Sequence, residues 1–219
     1  MNKFEKFLQQ HFGEHEPKEI EELIFDNFWV DKASFTIEEK NALEKYVNLI
    51  HLSLNNIGLK SLENLPFIKS LYYLSLKNNE LSGDDFDKIK SLYPNLNKLK
   101  ISGNVIEKID NLSKLKSLKL RKIEVKENPF SVGNDKYIKK VFDILPSLKI
   151  VDQTDKNGDE EETTDYHNEE KENEGDEDGE YSQEEEENEN KNKENDDDDE
   201  EEEENEEKDS ENDDDNDED

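Results

Sequence analysis

Leu71-Tyr72-Tyr73-Leu74-Ser75-Leu76-Lys77-Asn78-Asn79-Glu80-Leu81 is answered 25 residues later by Leu96-Asn97-Lys98-Leu99-Lys100-Ile101-Ser102-Gly103-Asn104-Val105-Ile106. The two stretches share one frame, L-x-x-L-x-L-x-x-N-x-L, with isoleucine in two leucine places of the second. A frame that recurs at a spacing in the twenties is the signature of a stacked-repeat architecture. Working outward, a third copy begins at Leu120, with Ile123, Val125 and then Asn128-Pro129-Phe130. An earlier one runs Leu49, Leu52, Leu54, Ile57, Leu59, its asparagine replaced. Ile20, Leu23 and Phe25 give a degenerate first copy, and Leu148 and Val151 open a truncated last one. The starts at 49, 71, 96, 120 and 148 lie 22, 25, 24 and 28 residues apart.

Each L-x-L predicts a short strand with its leucines pointing inward, and the asparagine side chain can satisfy backbone groups where the strand ends. Stacked, these strands make the curved parallel sheet of a leucine-rich-repeat solenoid, an α/β fold of about five repeats. The chain returns on the convex side. Asp84 or Asp85 can cap a helical return carrying Phe86, Ile89, Leu92 and Tyr93, stopped before Pro94. Asn134 or Asp135 can cap another carrying Tyr137, Ile138, Val141, Phe142 and Leu145, stopped at Pro146. The spacing of three in Ile106, Ile109, Leu112 and Leu115 suits 3₁₀ turns. A solenoid must cover its open ends. Phe4, Phe7, Leu8, His11 and Phe12 follow one helix face, so Asn2 to Phe12 is expected as a helical N-cap. Tyr137 to Asp152 is expected to cap the other end. Phe28, Trp29, Phe35 and Ile37, in the long first connection, are expected to pack.

The charge of the chain divides at the end of the last repeat. Gln153 to Asp219 carry 39 Asp and Glu against 5 Lys, a net charge of −34, whereas the whole chain totals 62 acidic and 29 basic residues. Met1 to Asp152 is therefore close to neutral. The acidic segment has no aliphatic cluster, and its only aromatics are Tyr166 and Tyr181. It cannot bury enough apolar surface to offset the entropy of ordering it. The expected organisation is a repeat domain with caps over 1–152 and a disordered polyacidic tail over 153–219. Such a tail attracts basic proteins over about a Debye length, about 8 Å at physiological salt, and repels nucleic acid and anionic membranes.

Chemistry beyond binding has little footing. No cysteine occurs, which removes disulfides, thiolate metal sites and a cysteine nucleophile. His11, His15, His51 and His167 fall in separate segments without zinc spacing, and phosphate-binding glycine loops are absent. Gln153, Asp155, Asn157 and Gly158 mimic the opening of a calcium loop, but Thr164 stands where the bidentate glutamate belongs. We therefore expect no enzyme activity, no metal and no cofactor. The N-terminus has no apolar run of signal-peptide length, and no stretch approaches a membrane span of about 18 apolar residues. The expectation is a cytosolic or nuclear monomer without membrane or direct nucleic-acid binding.

A family resemblance rests on several strings taken in order. These are Pro17-Lys18-Glu19-Ile20-Glu21-Glu22-Leu23-Ile24-Phe25-Asp26-Asn27, then Ile57-Gly58-Leu59-Lys60-Ser61-Leu62-Glu63-Asn64-Leu65-Pro66, then Tyr93-Pro94-Asn95-Leu96 leading to Ile101-Ser102-Gly103-Asn104, and Val141-Phe142-Asp143-Ile144-Leu145-Pro146-Ser147-Leu148 before the tail. Together they resemble the acidic leucine-rich nuclear phosphoprotein 32 kilodalton family. The resemblance implies histone binding and a histone-chaperone role, inhibition of histone acetylation, inhibition of a type 2A serine/threonine phosphatase, and a nuclear location with shuttling to the cytoplasm. Lys191-Asn192-Lys193 is the nearest thing here to the basic cluster that members carry near the C-terminus.

Two surfaces follow as candidate sites. For core histones or other basic proteins, the densest carboxylates are Glu184, Glu185, Glu186 and Glu187, then Asp196, Asp197, Asp198, Asp199, Glu200, Glu201, Glu202, Glu203 and Glu204, then Asp213, Asp214 and Asp215. Strand alternation places the intervening residues on the concave face. The contacts expected there are His51, Ser53, Tyr73, Ser75, Lys77, Lys98, Lys100 and Lys122, on a face running from acidic at Glu22 and Asp26 to basic at Lys98 through Lys126. A phosphatase inhibitor or regulatory adaptor would act through that face. Ser182 and Ser210, each followed by acidic residues, are candidate phosphosites.

Overall fold

The computed structural model describes residues 3–29, 32–134 and 136–160. Each repeat contributes one three-residue strand: β1 Glu22–Ile24, β2 His51–Ser53, β3 Tyr73–Ser75, β4 Lys98–Lys100 and β5 Lys122–Glu124, with β6 Ile150–Val151 from the truncated copy. They pair in chain order and in parallel. The register aligns Leu23, Leu52, Leu74, Leu99, Ile123 and Val151 in one row, and all six are buried. Phe25, Leu54, Leu76, Ile101 and Val125 form the next buried row. No repeat could hide its leucines alone, so stacking neighbours is what builds the core.

The asparagines of the frame tie the repeats together. Asn79 is 5% exposed. Its Oδ1 accepts from the Ile57 and Leu59 N–H groups of the preceding repeat at 3.1 and 3.0 Å, and its Nδ2 donates to the Leu54 and Leu76 carbonyls. Asn104 does the same for Leu81, Leu76 and Ile101, and Asn128 for Ile106, Ile101 and Val125. These amides satisfy buried backbone groups that no strand pairing reaches.

The ends are closed differently. Helix α1, Lys3–Phe12, lies within the expected cap, with Asn2 outside the described residues. Phe4 and Leu8 are buried, and Phe7 and Phe12 are half-buried. His11 departs from the expectation: it is exposed, stacked on Phe7 with ring centroids 4.0 Å apart and its Nδ1 3.0 Å from the Phe7 carbonyl. Phe4, Phe7, Phe25, Phe28, Trp29 and Phe35 make one aromatic cluster beneath it. Ile37 does not join it. It is 55% exposed, the first residue of an unforeseen helix, α2 Ile37–Leu43, that buries Glu39 and Leu43 instead. The side chain of Thr36 accepts from the Glu39 N–H, and Glu39 accepts from the Thr36 N–H, a capping box. Glu39 also holds Lys32 at 2.6 Å.

On the convex side, α3 Asp87–Leu92 and α4 Tyr137–Ile144 form the two expected helical returns, and Ile109–Leu115 is the expected 3₁₀ turn. Their caps are corrections. Asp84 accepts from the Ser82 hydroxyl, and Asp85 reaches the neighbouring turn, accepting from Ser61 Oγ and the Leu62 N–H, so neither caps α3. Asn134 Oδ1 takes the N–H of Lys136, the residue before α4, at 3.4 Å, and Asp135 lies outside the described residues. Strand pairing also passes the boundary expected at Asp152. After left-handed Asp152 and Gln153 (φ 48° and 71°), β7 Thr154–Asp155 turns back antiparallel on β6, and Thr154 bridges Glu160. The Asp155 carboxylate accepts from the Asn157 and Asp159 N–H groups at 2.8 and 2.9 Å. The calcium-like string is a turn whose carboxylate is occupied by its own backbone.

Candidate functional site: the concave face

The same register that buries the leucines sets the alternate residues in rows on the open face of the sheet. Glu22, His51, Tyr73, Lys98 and Lys122 form one row, and Ile24, Ser53, Ser75, Lys100 and Glu124 the next. Seven of the eight residues expected on this face therefore fall in these two rows, with Lys77 two residues beyond Ser75 at the exit of β3, but not as equals. Ser53 and Ser75 are buried at 4% and 1% exposure, and their hydroxyls are engaged. Ser53 donates to Asp26 at 2.6 Å, and Ser75 donates to Asn55 Oδ1 at 2.7 Å. Asp26 also accepts from the Asn55 N–H, and Asn55 Oδ1 from the Lys77 N–H. Strand exits in the first three repeats are thus stitched by a polar ladder.

His51 and Tyr73 form the middle of the face. His51 Nδ1 lies 2.5 Å from Glu22 Oε1, and its ring meets Tyr73 edge-on with centroids 4.3 Å apart. Burial pushes the histidine pKa down against the pull of Glu22. Burial likewise raises the Tyr73 hydroxyl. Lys100 bonds Glu124 at 2.8 Å and lies 5.5 Å from the Tyr73 ring centroid. Burial works against its charge, but Glu124 and Tyr73 outweigh it, and its pKa is raised. Lys98 lies 5.9 Å from the Tyr72 ring centroid. The face is acidic at Glu22 and Asp26 and carries lysines in β4 and β5, the gradient read in the sequence.

At the exit side of β3 to β5 the ladder stops, because Lys77 and Ser102 occupy the positions held by Asp26 and Asn55. There a pocket of about 350 Å³ opens, lined among others by Lys77, Ser102, Lys126 and Glu127. Sequence reasoning does not find it. Its signal is the row Asn27, Asn56, Asn78, Gly103, Glu127, of which all but Gly103 are side-chain-bearing residues at positive φ and only Glu127 is ill suited to that conformation.

The tail carboxylates Glu184 to Glu187, Asp196 to Glu204 and Asp213 to Asp215, the serines Ser182 and Ser210, and Tyr166, Tyr181, His167 and Thr164 lie outside the described residues. Among the described residues no group of three or more His, Cys, Asp or Glu is placed to hold a metal ion. No helix there is long and apolar enough to cross a membrane.

The leucine-rich repeat family model matches residues 31–177. An acidic leucine-rich nuclear phosphoprotein 32-related protein of Plasmodium falciparum is 36% identical over 166 residues, 72% of this chain and 58% of that protein. A related protein 2 of Caenorhabditis elegans is 38% identical over 122 residues, 54% of this chain and 53% of its own length. A protein of Tetrahymena thermophila that is named a histone is 32% identical over 124 residues, 56% of this chain and 31% of that protein. The chain thus spans little more than half the length of the first two relatives. With a sheet built on the L-x-x-L-x-L-x-x-N-x-L frame and relatives of these names, the chain belongs to the leucine-rich-repeat family and within it resembles the acidic leucine-rich nuclear phosphoprotein 32 proteins.

Proposed function

We propose that this protein is a non-enzymatic, nuclear binder of core histones or similarly basic proteins, of chaperone type, in which the acidic tail supplies affinity and the horseshoe supplies selectivity. The observation that carries the reading is the charge division: 39 carboxylates in 67 residues, joined to a domain close to neutral. Carboxylates at that density replace the phosphates that Lys and Arg of a histone meet on DNA, and masking histone lysines in this way would also hinder their acetylation. Leucine-rich-repeat domains are protein-interaction modules, and the relatives named nuclear phosphoproteins support the compartment. A stretch like this one also occurs in a protein named a histone. No single tail carboxylate is essential in this reading, since many equivalent ones share the charge. Phosphate at Ser182 or Ser210 would add only about −1.5 to −2 each to a strand at −34.

The test is a titration of core histones with the full chain, with a chain ending at Glu160, and with a chain whose tail order is scrambled. Ending at Glu160 rather than Asp152 keeps β7. Loss of most affinity on truncation, retention on scrambling, and a steep fall with salt are expected, by analogy with counterion release from nucleic acid. Unchanged affinity after truncation would reject the reading. The second reading, a phosphatase type 2A inhibitor acting through the concave face, is favoured by the partly exposed His51 and Lys98 in one row. It requires that replacing His51, Tyr73 and Lys98 abolish inhibition with the tail intact.

A further inference from the structure

The pocket at the exits of β3 to β5 combines a buried donor with uncommitted charge. Ser102 is 3% exposed, and its hydroxyl has no hydrogen-bond partner. The reason is local. The backbone N–H that a side chain at this position serves in the first repeats is here that of Lys126, and Asp152 Oδ1 takes it at 3.1 Å. A buried hydroxyl left without a protein partner is costly, and an acceptor oxygen entering the pocket would complete it. Lys77 and Lys126 line the same pocket, and neither ammonium forms an ion pair among the described residues. Lys100 and Glu124 neutralise each other, which leaves Glu127 as the opposing charge among the lining residues. Glu127 is held at φ 61°, a strained backbone of the sort that collects at binding sites.

We propose that this pocket binds a phosphomonoester carried on a peptide side chain, with Lys77 and Lys126 supplying charge and Ser102 Oγ donating a hydrogen bond to one phosphoryl oxygen. A phosphomonoester brings about −1.5 to −2 charge and three acceptor oxygens, matching two ammonium groups and one hydroxyl. A carboxylate brings one charge and two oxygens. The volume of about 350 Å³ admits the carrying side chain as well as the phosphoryl group. This site does not depend on the histone-binding reading, and its test contains no histone.

The experiment titrates the ¹⁵N-labelled full chain with N-acetyl-phosphoserine-N-methylamide, with its glutamate analogue and with inorganic phosphate, following amide shifts. Saturable shifts centred on Ser102, Gly103, Lys126 and Gln153 are expected with the phosphoserine compound, which should bind more tightly than the other two. Ser102→Ala should fold with an unchanged or higher Tm and bind about tenfold more weakly, the loss of one hydrogen bond to a charged group. Lys77→Met combined with Lys126→Met should abolish saturation, and Glu127→Gln should tighten binding. Absence of saturable shifts, or unchanged affinity in Ser102→Ala, would overturn the proposal. Equal affinity for the glutamate analogue would overturn the phosphoryl assignment, and tighter binding of inorganic phosphate would overturn the peptide carrier.

Discussion

At the scale of single residues, backbone geometry and burial make two measurable demands. The row Asn27, Asn56, Asn78, Gly103, Glu127 turns the chain out of each strand at φ between 54° and 66°. The left-handed conformation costs an L-residue roughly 1–2 kcal/mol, least for Asn, and costs Gly nothing. Glu127→Asn should therefore raise stability by about 0.5–1 kcal/mol in chemical denaturation, whereas Gly103→Ala should lower it, since the added methyl would meet the Asn78 amide. Asp152 makes the second demand. It accepts from the Val125 and Lys126 N–H groups and from the Tyr137 hydroxyl, yet burial keeps its pKa above the ordinary aspartate value. The folded state thus holds the proton more tightly than the unfolded chain. Its contribution is full below the unfolded pKa and is lost as pH rises through the raised one. Asp152→Asn keeps an acceptor oxygen and removes the titration, so its stability relative to the parent should climb across that acid window and then level off. Parallel pH profiles for the two chains would contradict this account.

At the scale of elements, the sequence is most legible where one frame dictates everything. The strands, the buried leucine rows and the asparagine roles follow from L-x-x-L-x-L-x-x-N-x-L, because a side chain's face and its hydrogen-bond task are both fixed by its place in the repeat. Helix α2 escapes such a reading although Thr36-Ile37-Glu38-Glu39 spells a capping box, since the aromatics around it read as packing residues of a loop. The expected caps of α3 fail because Asp85 is committed to the preceding repeat, a contact 23 residues away in sequence and invisible to local pattern. The pocket is hidden for a related reason: it exists where a ladder of side chains stops, and the ladder itself emerges only after registration of the strands. Thr36→Ala should cost about 1 kcal/mol by loss of the cap, with the largest gain in hydrogen exchange within α2. Uniform exchange across the domain would instead place Thr36 outside the control of that helix.

At the scale of the whole molecule, repeat domain and tail divide the labour in the proposed function: shape on one side, charge density on the other. The tail's share is legible from composition alone, while its placement and the identity of a partner are not, because neither composition nor periodicity encodes what a surface meets. The asparagine ladder carries a further consequence, which concerns synthesis. Asn79 completes the turn at Ile57 and Leu59, Asn104 the turn at Leu81, and Asn128 the turn at Ile106, so each of these repeats takes its final hydrogen bonds from the one after it. A chain leaving the ribosome therefore cannot finish such a repeat until the next asparagine has emerged, and structure should grow in steps that lag translation by one repeat. Free chains truncated after Lys119 should show fast amide exchange at Ile106, and chains truncated after Val132 should not; equal protection at both lengths would mean that the turns close unaided.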